Sequence, residues 1–263
     1  MHLFSAGTTF NDVRIPFPHV RVAGSAARST LDNLQREHPT ATPIIVGGDS
    51  DSLHLLFDER LAFPPEELEE FIERSLQGDG WSLHLAYERE LHDRMLPRLK
   101  ELNAGEIIIR TLSEWPRLDE TVNPADVAEV INQPWPEPPH QSTDLSCAAS
   151  SDIVLIVLIP TVRPWEAAAY LGFGGINACP APWVHVAYAR EWSTTFGARL
   201  LVLTHDTLEF EIARPITSRE DAAGMAAVLA RYCSDTFDTD LLDRKVEHAA
   251  YLLGARLWQF WWD

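Results

Sequence analysis

The sequence predicts an α+β fold in which helices pack on a largely antiparallel or mixed sheet, and three observations carry that expectation. Residues 153 to 159, IVLIVLI, form a continuous run of branched apolar side chains, as in a strand covered on both faces. Residues 199–204 and 207–213 flank a short turn at His205 and Asp206, which reads as a hairpin. Around these strands lie segments whose apolar residues recur every three to four positions between capping signals. Apparent hairpins stand where a doubly wound nucleotide-binding fold needs helical crossovers, so that fold is not expected.

Taken in order, the chain begins with a turn-rich stretch, after which Ser25 is placed to cap a helix with Ala27, Leu31 and Leu34 on one face. Pro43 to Val46 reads as a strand, GGDSD at 47–51 as a tight turn, and Leu53 to Phe57 as a second strand. Pro64 and Pro65 open a helix with Leu68, Phe71, Ile72 and Leu76 on one side and Glu66, Glu67, Glu69, Glu70 and Glu73 elsewhere. A mixed helical pattern from Trp81 to Leu96 should break or kink at Pro97, where an N–H is missing and the ring clashes with the preceding turn. EIIIR at 106–110 is a short strand candidate, and Asn123 with Pro124 starts a brief helix to about Ile131.

The proline-dense segment QPWPEPPHQSTDLS can continue neither a helix nor a central strand. It divides the chain into an α+β region at 1–132, a linker or strap at 133–150 and a C-terminal α+β domain at 151–263. In the latter, Pro182 begins a helix carrying Val184, Tyr188, Trp192 and Phe196, and Gly197 ends it. Ser218 and Asp221 resemble a capping box, and Thr239 is placed to cap a last helix closed by Gly254. In LWQFWWD, Trp258, Phe260 and Trp262 alternate onto one face of a buried terminal strand. Both halves can be written as strand, Asp-containing turn, strand, proline, helix, which is either a duplication or a common hairpin followed by a helix.

Thirty-nine acidic residues against 21 basic ones give a formal charge of −18. Lys100 and Lys245 are the only lysines and the arginines are scattered, so nucleic acid and anionic membrane surfaces are poor partners, while a basic protein is a suitable one. Cys147, Cys179 and Cys233 are too far apart for a CxxC motif, no signal peptide is evident, and no apolar run is long enough to cross a bilayer. A cytoplasmic, reducing setting is expected.

The segment from about Ile159 to Asp263 resembles the bacterial family known as domain of unknown function 4253. The resemblance rests on PTVRPWEAAAYLGFGGINACP at 160–180, Trp192, the helix end Phe196-Gly197-Ala198, LVLTHDTLEFEIARP at 201–215, ARYCSD at 230–235 and the terminal LWQFWWD. Two positions depart from the family pattern: Ser234 stands where Cys-Pro-Asp is common, and Ile216 where a second proline follows Pro215. The resemblance implies an architecture and transfers no activity.

HExxH, GxxxxGK[ST], GxSxG and a strand-linked GxGxxG do not occur, so no cofactor is expected. The polar residues Asp49, Asp51, His205, Asp206 and Glu209 are the metal or acid-base candidates, provided the two turns converge; otherwise the three aspartates serve as turn acceptors. Cys179 in NACPAP has His185 nearby in sequence, and the intervening prolines are able to bring sulfur and imidazole to one rim; otherwise Cys179 and Cys233 are buried inert thiols and His185 is a core or rim histidine. Nine tryptophans are mostly core, yet Trp115 and Trp135 lie beside prolines in extended segments and are candidate contact residues, as is the Glu66, Glu69, Glu70, Glu73 face. The first functional expectation is therefore an acidic protein-interaction or regulatory module, of immunity type if it blocks a basic partner. A metal-dependent or cysteine-based hydrolase and a small-ligand binding module are the alternatives.

Overall fold

The computed structural model describes residues 2–59, 65–101, 122–137, 145, 151–237 and 242–263. A small ribbon, β1 (Thr9–Phe10) and β2 (Val13–Arg14), precedes β3 (His19–Ala23). A 3₁₀ turn at Gly24–Ala26 leads into α1 (Ala27–Glu37), so the helix starts without the side-chain cap expected of Ser25. The elements that follow are β4 (Thr42–Gly47), α2 (Ser50–His54), α3 (Pro65–Ser75), α4 (Gly80–Glu101) and α5 (Pro124–Ile131). Then come β5 (Ile153–Ile159), α6 (Ala167–Tyr170), α7 (Pro182–Phe196), β6 (Arg199–Leu203), β7 (Thr207–Glu211), α8 (Arg219–Tyr232), α9 (Leu242–Leu252) and β8 (Leu257–Trp261).

Six strands form one mixed sheet in the order β3-β5-β4-β6-β7-β8. All pairings are antiparallel except β4 with β6. The apolar run of β5 lies inside the sheet as its composition requires, because both faces are covered. On one face Ile45, Val154, Ile156 and Leu158 meet Ala27, Leu31 and Leu34 of α1. On the other, Ile44, Leu155, Val157, Leu208 and Phe210 join the main core with α7 and α8. Trp258, Phe260 and Trp262 alternate into that core, while Trp261 is 43 % exposed. Trp192 of α7 is the hub, with Tyr232, Trp258, Phe210 and Phe260 ring centroids 5.1–5.6 Å away.

The sheet crosses the proline-dense segment. Among the described residues of 151–263, β5 has no neighbouring strand, since β3 and β4 both precede residue 133. Trp135 is half-buried and pins the start of the segment: its indole donates to Val130 O at 3.0 Å and the Arg219 guanidinium covers its ring.

Two expectations are corrected. Leu53 to Phe57 is not a strand, because Asp49 caps α2 by accepting from Ser52 N and the chain continues as a π-type turn over Leu55–Glu59. Both edges of β4 are already taken by β5 and β6, which leaves no place for a hairpin partner, and the helix-hairpin-helix echo between the halves disappears. Of the break or kink expected at Pro97, the break does not occur: α4 runs on to Glu101 with the exposed Pro97 inside it. The strand candidate at 106–110 and the Thr239 cap lie outside the described residues.

Candidate functional site

The loop between α6 and α7 carries Gly172, Gly174 and Gly175 at positive φ, and Asn177 also adopts φ 52°. Gly175 N donates to the carbonyls of Cys179 and Pro180, so the loop folds back on itself. Pro182 at the first helical position then starts α7, and the side chain of Asn177 donates to Asp263 O at 2.9 Å. This local chemistry puts Cys179 just ahead of a 15-residue helix, whose positive dipole end favours nearby negative charge.

Cys179 Sγ lies 3.4 Å from His185 Nε2, and His185 Nδ1 lies 2.7 Å from the Tyr232 hydroxyl of α8. The three groups form a continuous chain from sulfur to phenol. Burial, with the charges of Cys179, Cys233 and Tyr188 adding to it, pushes the Tyr232 phenol well above its ordinary range and keeps it neutral. With its proton on Nδ1, the imidazole donates to the Tyr232 oxygen and turns the Nε2 lone pair toward the thiol. Phe173, Tyr232 and Trp262 meet the His185 ring edge-on at 4.9–5.4 Å and fix its plane.

Gly174 closes the arrangement from the loop side. A Cβ built there would come within 2.0 Å of Pro180 O and 2.7 Å of His185 Nε2, and its φ of +102° is one that glycine adopts freely. Cys179 is 4 % and His185 1 % exposed, whereas Gly175, Ile176, Asn177 and Ala178 above them are exposed. Tyr87 of α4 borders the site: burial, and then the Cys179 charge, raises its pKa.

Cys233 is a different kind of thiol. It donates to Trp261 O, and burial raises it to about 11. The two described cysteines are both free, and Cys147 lies outside the described residues.

The other candidates are distributed as follows. Because β4 and β6 run parallel, the turns at their C-terminal ends lie side by side, and Gly47 faces Thr204. Asp49 and His205 do come close. Burial opposes ionisation of Asp49, but hydrogen bonds from Ser52 and the His205 charge outweigh it and hold the carboxyl below its ordinary range. Asp206 Oδ1 accepts from Thr204 Oγ1 and Thr207 Oγ1 at 2.8 and 2.9 Å, its Oδ2 accepts from the Trp261 indole at 2.9 Å, and His205 Nε2 is 3.5 Å away. Glu209 is buried on β7 and Asp51 is exposed on α2. Among the described residues no three His, Cys, Asp or Glu side chains gather closely enough to hold a metal ion. Asp49 and Asp206 serve as cap and turn acceptors. Glu69, Glu70 and Glu73 are exposed on α3; the Glu66 side chain and Trp115 lie outside the described residues.

Sequence reasoning found Cys179 and His185 but missed Tyr232 and Gly174 as their partners. Tyr232 looked only like a core residue of an amphipathic helix, and no local spacing links it to a histidine on α7. The motifs that carry the family resemblance converge here: the Gly-Gly turn, Asn177, Cys179, Cys233 with Asp235, and the terminal Trp-Trp-Asp, whose Asp263 N donates to Asp235 Oδ2 at 3.0 Å.

The sequence model of one family, Domain of unknown function (DUF4253), matches residues 155–263. No curated protein and no solved structure matches the chain. No helix among the described residues is long and apolar enough to cross a membrane.

Proposed function

We propose that the protein is a cysteine-dependent hydrolase of acyl substrates, with Cys179 as nucleophile, His185 as general base and Tyr232 as the group that orients the imidazole. The single observation supporting this is the unbroken contact chain, 3.4 Å from sulfur to Nε2 and 2.7 Å from Nδ1 to the phenol. In this reading Nε2 takes the thiol proton as sulfur bonds to the acyl carbon, and the imidazolium returns that proton to the departing group. Water, deprotonated by His185, then cleaves the thioester, releasing the acid and restoring the thiol. Two free cysteines suit a reducing, cytoplasmic setting.

The test is covalent mapping followed by turnover. An alkyne-tagged acyl electrophile should label Cys179 and spare Cys233, and a panel of thioesters and activated esters should be hydrolysed by the parent but not by Cys179→Ser. Labelling that ignores Cys179, or hydrolysis that survives its replacement, overturns the reading.

A second reading, an acidic module that binds a basic protein, is favoured by the exposed Glu69, Glu70 and Glu73 of α3 beside exposed Leu76 in a chain of net charge −18. It expects native pull-down at low salt to retain a basic partner, and reversal of the three glutamates to lysine to release it. Retention that is indifferent to the reversal sinks this version.

A further inference from the structure

A cavity of about 270 Å³ opens where α4, α5, α8 and α9 meet, and Cys179, His185 and Tyr232 are not among its lining residues. Its lining is unlike the rest of this acidic chain. Arg231 of α8 and Lys245 of α9 both border it, against the one carboxylate of Asp126. Lys245 is half-buried and makes no ion pair among the described residues. Arg231 is ion-paired to Glu88 of α4, and its guanidinium carbon lies 5.3 Å from the centroid of the Trp81 ring, which also lines the cavity.

These features fit one class of ligand. Ala226 and Ala230 of α8 present only methyl groups, so α8 leaves space that larger side chains would fill, and the Trp81 ring offers a flat apolar surface beside it. Lys245, without an ion pair among the described residues, is the wall's cation that favours an anion, while Arg231, its charge balanced by Glu88, is held in place by that pair, so the geometry of its N–H donors is set before anything binds. We infer that this cavity is a binding site for a small organic carboxylate with an apolar body. The body lies on Trp81 and the α8 methyls, and the carboxylate pairs with Lys245 and Arg231.

Calorimetry and ligand-observed NMR on the full chain test this, with phenylacetate as the probe. Its neutral amide and the matching amine, phenethylamine, are the controls. Phenylacetate should bind in the millimolar range or tighter, and the amide about tenfold more weakly, the factor expected when one charge-assisted hydrogen bond is lost. Lys245→Gln should weaken phenylacetate by a similar factor without changing the melting temperature, and Ala227→Phe, placed on the cavity lining, should remove binding. No binding of phenylacetate, equal binding of the three probes, or an unchanged affinity in Lys245→Gln each overturns the inference. If Ala227→Phe fails to fold, the Lys245 variant alone decides.

Discussion

The indole N–H of Trp261 donates to Asp206 Oδ2 at 2.9 Å, so the turn between β6 and β7 is fastened to the strand that closes the sheet. The same carboxylate gathers the hydroxyls of Thr204 and Thr207, and Asp206 O accepts from Trp262 N.

Replacing Asp206 with alanine removes three hydrogen bonds to one charged group. Allowing for its partial exposure, the loss should be about 2–4 kcal/mol, with asparagine recovering part of it. Urea unfolding measures the difference, and a change below about 0.5 kcal/mol, the size of an ordinary surface substitution, would show that the turn is not held this way.

Tyr232→Phe deletes the hydroxyl and leaves the ring. It should destabilise the fold by about 1–3 kcal/mol, because His185 Nδ1 is left buried without its phenol. If Tyr232 orients the imidazole, the variant should also alkylate at Cys179 more slowly and with an altered pH profile. An unchanged profile would make the phenol a packing group only.

His84 supplies a pH dependence of definite sign. Burial, assisted by Arg231, lowers its pKa from 6.5 to about 3; Glu88, 3.7 Å away, does not restore the charged form because Arg231 already engages it. The unfolded chain therefore binds this proton more tightly than the folded one. Stability from neutral His84 is complete above pH 6.5 and is lost as pH falls toward 3, by up to about 1.4 kcal/mol per pH unit. Urea midpoints at several pH values should show a shallower slope in His84→Leu; parallel curves for the two proteins would refute it.

Removing residues 257–263 takes away β8 with Trp258, Phe260 and Trp262, all buried. Three such side chains are worth roughly 5–9 kcal/mol, as much as many whole domains possess. Thermal unfolding followed by circular dichroism should lose its cooperative transition. A truncated chain that melts within about 3 °C of the parent, a shift of only about 1–2 kcal/mol in a protein of this size, would contradict the assigned role of β8.

Where the determinants are local, the sequence was readable. The caps at Asn123 and Ser218, the left-handed Gly197 that ends α7 and the alternation in WQFW each specify their element within a few residues. LHLLF reads as a short apolar strand after a turn yet is not one, because what excludes it is the occupancy of both β4 edges by strands distant in sequence. For the site, proline spacing allowed Cys179 and His185 to meet, and they lie 3.4 Å apart. The phenol of Tyr232 was invisible in the same sense as the β4 neighbours: it arrives through the packing of α8 on α7, which no short window encodes.

The position of β4 sets the order of events in biosynthesis. It and β3 emerge early, yet each finds its ladder in β5, and β4 pairs on its other side with β6, both far downstream. Until that later chain leaves the ribosome, two apolar segments have open edges and nothing to pair with. High contact order of this kind slows folding, because the loops that bring β3 and β4 to β5 must close before the pairing contacts can reward them.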